Sequence, residues 1–218
     1  METLKSLNGA LGEKIGMTHL FTDDGSCVPV TVVKVGPCTV IQRKTTEREG
    51  YEAVQVGIRQ QKPQRVNKPL TGHFSAAGKG AFSVLKELKV NTSRGEMPEV
   101  GSEITVGQLF QVGDFVDITA NSLGRGFSGV VRRHHMKGQP ATRGTHEYRR
   151  HVGSIGCRKT PGRVHKNKRM PGRMGGNVVT VQNLKIMKVL AEEGVLLVKG
   201  CIPGPRGNVV TVNRAAKK

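Results

Sequence analysis

Residues 124–176, the basic segment, contain the densest concentration of cationic side chains in this sequence that could bind a ligand. They include 14 of the 35 Lys and Arg residues and five of the seven His residues, but only one of the 16 acidic residues, Glu147. The net charge of the segment is therefore +13, against +19 for the whole chain. With 11 of the 29 Gly residues and few apolar ones, the segment has too little apolar surface to build a core of its own. This concentration of positive charge predicts binding to a polyanion, and its length and glycine content favour nucleic acid.

Two groups of residues in the basic segment are the candidate contacts to nucleic acid. Cationic and imidazole side chains can donate hydrogen bonds to phosphate oxygens. These candidates are Arg125, Arg132, Arg133, His134, His135, Lys137, Arg143, His146, Arg149, Arg150, His151, Arg158, Lys159, Arg163, Lys166, Lys168, Arg169 and Arg173. Glycines lack a side chain and would let the RNA backbone approach closely. The candidates of this second kind are Gly124, Gly126, Gly129, Gly153 and Gly156.

The charge alone does not distinguish DNA from RNA as the partner. The sequence has no helix-turn-helix or zinc-finger pattern, which disfavours the common DNA-binding motifs. An aromatic content of 4%, with no Trp, disfavours a platform that stacks successive bases of a single strand. We therefore expect a protein that recognises folded RNA by its shape and its phosphates.

Gly124, Gly126 and Gly129 also match the dinucleotide-binding pattern G-x-G-x-x-G, with Glu147 about 20 residues later. This pattern makes a nicotinamide-dependent oxidoreductase the alternative of a different class. The dinucleotide fold requires a helix and a second apolar strand within about 30 residues of the glycines. The sequence after Lys137 is rich in Gly, Pro and Arg and contains no such strand, so RNA contact is the better interpretation.

Neither a metal site nor a catalytic site is predicted. His146, His151 and Cys157 are the nearest approach to a zinc motif, but structural zinc needs two pairs of closely spaced ligands, and no second pair is present. Glu147 is the only carboxylate of the basic segment, and the sequence shows no catalytic triad, phosphate-binding loop or carboxylate pair. We expect no enzymatic activity and no cofactor.

The flanking sequence has the composition of an ordinary globular protein. Residues 1–123 carry a net charge of +1, and residues 177–218 carry a net charge of +5. No run of about 18 apolar residues could span a membrane, and the N-terminus lacks the apolar stretch of a signal peptide. The four cysteines are not arranged in C-x-x-C pairs. We expect a cytoplasmic protein with reduced thiols.

Hydrophobic patterning predicts β structure on both sides of the basic segment. Runs that are rich in β-branched residues, or that alternate polar with apolar residues, are typical of strands. They occur at residues 28–35, 39–43, 52–58, 83–90, 102–106, 110–119, 177–182, 184–189, 195–199 and 208–213. Residues 60–80 are broken by Pro and Gly and predict a loop with at most a short helix at 69–77. Many short strands favour a barrel or a sandwich, which the basic segment interrupts.

A gapless pattern of spaced residues joins the strand before the basic segment to the start of that segment. It reads F-x6-[DN]-x2-A-x-S-x-G-R-G-x2-G-x3-R and runs from Phe110 to Arg133. Further motifs lie in register with it: KIGMT at 14–18, NKP at 67–69, GHF at 72–74, GSIG at 153–156, TPG at 160–162, VQNL at 181–184 and LVKG at 197–200. Over residues 9–215, the sequence resembles the ribosomal protein L3 family of the large subunit, in its bacterial form.

The resemblance implies a mainly β fold. Residues 1–123 and 177–218 would together form a six-stranded β-barrel of the type found in translation proteins, with a loop and minor helix insert near 60–95. The basic segment would form a long, largely irregular extension that penetrates rRNA. Its root would lie at residues 125–133 and its tip at residues 153–162.

The resemblance also implies a function. The family member would be a structural constituent of the large ribosomal subunit that binds 23S-type rRNA near its 3′ end. It would help to nucleate subunit assembly and send the basic segment toward the peptidyl-transferase centre. Its partners would be large-subunit rRNA and neighbouring large-subunit ribosomal proteins. It would bind no membrane and no small-molecule substrate, and it would not form a homo-oligomer. A free RNA chaperone or translation factor built on the same barrel remains the third alternative, and it predicts a mostly unbound pool of protein.

At the expected tip, the sequence departs from part of the family. Some bacterial relatives carry a modified glutamine between GSIG and TPG, where this sequence has Cys157, Arg158 and Lys159. That modification is therefore not carried over to this chain. The residues before Gly9 have no role that the sequence indicates.

Overall fold

Twelve β-strands and four short α-helices make up the computed structural model of this chain, which describes Leu4 and residues 6–217. In chain order they are β1 (Gly9–Phe21), β2 (Cys27–Val35), β3 (Cys38–Lys44), α1 (Thr46–Glu49), β4 (Ala53–Gln61), α2 (Lys68–Ser75), β5 (Ala81–Lys89), β6 (Glu103–Ile104), α3 (Val106–Leu109), β7 (Phe115–Asn121), β8 (Phe127–Ser128), α4 (Val130–His134), β9 (Gly172–Arg173), β10 (Val178–Leu190), β11 (Val195–Lys199) and β12 (Val209–Arg214). Single 3-10 turns lie at Pro63–Arg65 and Thr92–Arg94. The predicted mainly β fold is confirmed.

Six of the strands close into a barrel in the order β1-β12-β7-β10-β11-β2, and every neighbouring pair is antiparallel. Successive side chains point to opposite faces of a strand, so each barrel strand sends every second side chain inward. Val116 and Ile118 on β7 are fully buried in one core cluster with Ile186 on β10 and Val212 on β12. Burying each such side chain stabilises the fold by about 1.5–3 kcal/mol. The predicted six-stranded barrel is confirmed.

Residues between β2 and β7 form a second, four-stranded antiparallel sheet in the order β5-β4-β3-β6. This sheet shares one hydrophobic cluster with the barrel, in which Leu11 of β1 joins Val54 and Val56 of β4. The sequence predicts strands in this region but assigns them to the barrel body, whereas the structure places them in a sheet of their own. Alternation identifies a strand and its buried face, but it does not identify the neighbours of that strand in a sheet.

Several elements differ from the sequence prediction, and three of the differences have a clear physical reason. β1 is not among the runs predicted as strands, because GALGEKIGMTHLF has three glycines and no β-branched run, and its pairing with β12 and β2 forms it instead. The strands predicted at 177–182 and 184–189 are one strand, β10, with a bulge at Asn183, whose N–H donates to Asp117 Oδ1 at 2.9 Å. The strand predicted at 102–106 keeps two residues, because the Gln108 side chain caps α3 by accepting from the Thr105 N–H at 3.0 Å. The short helix predicted at 69–77 is observed as α2.

Residue contacts divide the chain into two compact units. The first unit contains residues up to Asn121 and from Val178 onward, and the second unit is Ser122–Asn177. Asn121 and Val178 are cross-strand partners in the ladder between β7 and β10, so the chain leaves and re-enters the first unit at one point of one ladder. In the second unit, all of which the structure describes, only Ser128 and Val130 are buried. No helix in the described part of the chain is long and apolar enough to cross a membrane.

Candidate nucleic-acid interface

The second unit begins and ends at a short paired root. β8 and β9 are antiparallel neighbours, and two backbone hydrogen bonds extend their pairing. The Arg125 N–H donates to the Met174 carbonyl at 2.9 Å, and the Met174 N–H donates to the Gly126 carbonyl at 3.0 Å. α4 follows directly after β8 and buries Val130. The two ends of the basic segment are therefore held side by side within the second unit.

The carbonyl oxygen of Met170 links α4 to the far end of the basic segment. Arg133 Nη1 donates a hydrogen bond to this oxygen at 2.8 Å, and His134 Nε2 donates a second at 3.0 Å, which requires a proton on that ring nitrogen. Gly172 makes room for the guanidinium, because a Cβ atom there would lie 2.5 Å from Arg133 Nη1. Arg133 and His134 are half-buried. These two candidates hold the root together, and their contact with RNA stays a prediction.

The other sixteen cationic and imidazole candidates are exposed. They are Arg125, Arg132, His135, Lys137, Arg143, His146, Arg149, Arg150, His151, Arg158, Lys159, Arg163, Lys166, Lys168, Arg169 and Arg173. Every ion pair found among the described residues joins side chains of the first unit, so none of these sixteen has a carboxylate partner in the described chain. Unpaired cations at this density create a positive potential that attracts phosphates.

The five candidate glycines lie where the chain leaves space open. A Cβ atom would meet no other atom within 4 Å at four of them, Gly124, Gly126, Gly129 and Gly153. At Gly156 it would meet only a carbonyl oxygen, 3.8 Å away. Gly126 and Gly153 also have φ angles of 63° and 75°, which favour glycine over other residues. No neighbouring part of the chain fills the space at these positions, so the backbone of an RNA could approach them. Their close approach to RNA stays a prediction.

Sequence reasoning misses an aromatic pair in the basic segment. The rings of Tyr148 and His151 meet edge to face, with 4.9 Å between their centroids and 67° between their planes. With Gln139 they line a pocket of about 410 Å³. Their spacing repeats nowhere else in the segment, so no periodic signal marks the pair, and only the geometry of the turn reveals it.

The expected tip, residues 153–162, is exposed at every position. Ile155 and the nearby Val164 are each 43% exposed, and together with Cys157 and Arg158 they line an open cavity of about 330 Å³. Cys157 is a free, exposed thiol. The tip therefore offers a partner both cations and a small apolar surface.

Comparison with known proteins decides the family. The family model described as Ribosomal protein L3 matches residues 79–195, which is more than half of the chain. The chain is also 49% identical to the "Large ribosomal subunit protein uL3" of Herpetosiphon aurantiacus, over 97% of this chain and 98% of that protein. The chain belongs to the ribosomal protein L3 family. A relative of the same name from Acidothermus cellulolyticus is 49% identical, over 98% of this chain and 95% of its own length. Another, from Trichlorobacter lovleyi, is 47% identical, over 96% of this chain and 97% of its own length.

Membership of the ribosomal protein L3 family confirms the resemblance found in the sequence. The dinucleotide-binding alternative finds no support in the fold. After Gly129 come the five residues of α4 and then an irregular chain up to β9. The dinucleotide fold needs parallel strands, whereas all pairings among the described strands are antiparallel. Among the described residues, no group of three or more His, Cys, Asp or Glu side chains could hold a metal ion.

Proposed function

We propose that this member of the ribosomal protein L3 family is a structural constituent of the large ribosomal subunit in the cytoplasm, without enzymatic activity. The names of its relatives describe proteins of the large ribosomal subunit. One observation carries the proposal for this chain: the basic segment exposes sixteen cationic and imidazole side chains that have no carboxylate partner in the described residues. Such a surface needs a polyanion, and large-subunit rRNA supplies it.

The basic segment acts as a counterion with a defined shape. Folded rRNA brings phosphates close together, and the exposed Lys and Arg side chains lower the repulsion between them. The open backbone at Gly126 and Gly153 lets phosphates approach the main chain. The bonds from Arg133 and His134 to Met170 fix the root from which the segment starts.

The finer features extend the same proposal. The protein binds 23S-type rRNA near its 3′ end and helps to nucleate assembly of the subunit. Its root is at residues 125–133, and its tip at residues 153–162 lies toward the peptidyl-transferase centre. Neighbouring large-subunit proteins are its other partners, and it is not a homo-oligomer. The complete exposure of the tip leaves Arg158 and Lys159 available to rRNA.

Crosslinking of the protein to RNA in cells, mapped at nucleotide resolution, tests the proposal. Wild type is compared with a deletion of residues 134–170. A second variant replaces Arg158, Lys159 and Arg163 by Gln and so keeps the length of the chain. We expect wild type to crosslink to large-subunit rRNA and the deletion to lose only the contacts near the peptidyl-transferase centre. The Gln variant should lose the part of those contacts that the tip makes.

Crosslinks scattered over messenger RNA or DNA would contradict the ribosomal assignment and favour the free RNA chaperone. Sedimentation in high salt gives a second readout. A ribosomal constituent is expected to co-sediment with the large subunit, whereas a chaperone or translation factor leaves a mostly unbound pool. A nicotinamide cofactor retained by the purified protein would support the oxidoreductase alternative instead.

A further inference from the structure

A pocket in the second unit has the composition of a small binding site. It is an open cleft of about 410 Å³ that is lined by Gln139, Thr145, Tyr148, His151, Val152 and Gly153. Pockets that take small organic groups enclose about 300–1,000 Å³ and combine apolar or aromatic walls with a few polar groups. The volume and the lining of this pocket both fit that description.

Backbone contacts fix the walls of the pocket. The Gln139 N–H donates to the Arg149 carbonyl at 2.9 Å, and the His151 N–H donates to the Tyr148 carbonyl at 3.1 Å. Gly138, with a φ angle of 74°, lets these two stretches meet, because a Cβ atom there would lie 2.5 Å from the Arg149 carbonyl oxygen. Both hydrogen bonds join main-chain atoms, so the exposed Tyr148 side chain can be replaced without removing either of them.

The groups at the pocket match a nucleobase better than a phosphate. The Tyr148 side chain is 60% exposed and offers an aromatic surface on which a base can stack. The Gln139 amide both donates and accepts hydrogen bonds, as the edge of a base requires. The Thr145 hydroxyl also does both, and it is held 2.8 Å from the Thr142 hydroxyl. Arg149, next to Tyr148 in the chain, is exposed and available to a phosphate that flanks the base.

We propose that this pocket takes one unstacked nucleobase of the RNA that the basic segment binds. The inference rests on the proposed function, because RNA is the ligand in both. The low aromatic content argues against a platform for successive bases, but one ring pair is enough for one base. Stacking releases no counterions, so this contact adds affinity that salt does not weaken, unlike the phosphate contacts around it.

Binding of the purified full-length chain to a large-subunit rRNA transcript tests the pocket. Tyr148→Ala removes the stacking ring and should weaken binding about 5- to 150-fold, the equivalent of about 1–3 kcal/mol for one stacked base. The slope of log affinity against log salt should not change, because the substitution removes no charge. Tyr148→Phe keeps the ring and should bind like wild type.

Two further variants make the test specific. Tyr51→Ala makes the same change at the other tyrosine of the chain, in the first unit, and should leave binding unchanged. His151→Ala removes the second ring of the pocket and should weaken binding. Chemical probing of the bound transcript should find one base that becomes reactive with Tyr148→Ala and stays protected with Tyr51→Ala. Equal affinity and an equal probing pattern for wild type and Tyr148→Ala would overturn the inference.

Failure of the pocket and failure of the proposed function give different results. If wild type binds the large-subunit transcript no better than an unrelated RNA of the same length, the proposed function fails, and the pocket inference fails with it. If wild type prefers the large-subunit transcript and neither Tyr148→Ala nor His151→Ala changes binding or probing, only the pocket inference fails.

Discussion

Removing three positive charges from the region of the tip tests how the basic segment uses its cations. The variant carries Arg158→Gln, Lys159→Gln and Arg163→Gln in the full-length chain. All three side chains are exposed and have no carboxylate partner in the described residues, so each is free to neutralise one phosphate. We expect the variant to bind large-subunit rRNA more weakly than wild type and with a smaller dependence on salt.

The expected change follows from the number of charges removed. Each phosphate that a cation neutralises adds about 0.7 (single strand) to 0.9 (duplex) to the slope of log affinity against log salt concentration. With about ten such contacts, wild type should lose roughly 7–9 units of log affinity for a tenfold rise in salt. The triple variant should lose about 2–3 units less over the same rise.

Filter binding of a labelled large-subunit rRNA transcript over a series of KCl concentrations measures this slope. The matched control replaces three exposed lysines of the barrel, Lys34, Lys188 and Lys199, by Gln and changes the net charge by the same amount. Local phosphate contact predicts a smaller slope in the tip variant only. An unchanged slope in the tip variant would refute the contact, and an equal reduction in both variants would show that net charge, not position, sets the binding.

Three further changes test single contacts. Gly172→Ala would place a methyl group 2.5 Å from Arg133 Nη1, so the flexible guanidinium must shift away from the Met170 carbonyl. Loss of that hydrogen bond should make amide hydrogen exchange at the root about 2- to 13-fold faster, the equivalent of about 0.5–1.5 kcal/mol. Gly144→Ala, where a Cβ atom meets no atom within 4 Å, is the control and should leave exchange unchanged. Burial raises the pKa of the Cys38 thiol from 9.0 to about 11, so the unfolded chain loses this proton first and the free energy of unfolding should fall by about 2 kcal/mol as the pH rises from 9 to 11. Urea unfolding should show this fall in wild type relative to Cys38→Ala, and parallel pH profiles for the two proteins would contradict it. Ile118→Ala leaves a cavity in the barrel core and should lower the free energy of unfolding by about 2–5 kcal/mol in the same assay, and a loss below 1 kcal/mol would contradict that core position.

The strands that can be predicted from the sequence are those whose own residues favour a buried, pleated surface. β2 reads CVPVTVVKV and β11 reads VLLVK, and both lie where their β-branched and aliphatic residues predict strands. β1 cannot be found in this way, because its glycines carry no such preference and its two partners come from distant parts of the chain. The division of the strands between barrel and sheet also depends on pairing, which local pattern does not encode.

The candidate site can be predicted from the sequence as a set of charges, but not as an arrangement in space. Charge composition needs no partner, so the boundaries of the basic segment are visible in the sequence alone. Arg133 looks like any other Arg of the segment, and its internal role depends on the Met170 carbonyl, 37 residues away. The same holds for Tyr148 and His151, whose contact depends on a turn that neither residue predicts.

Asn121 and Val178 face each other as cross-strand partners, and this has an evolutionary consequence. The register of the barrel strands is the same whatever number of residues lies between those two positions. Closing a flexible loop costs only about 0.6 kcal/mol more for each doubling of its length. Insertions and deletions between the two partners can therefore accumulate with little effect on the barrel, so that the reach of the segment into RNA and the stability of the fold can evolve separately.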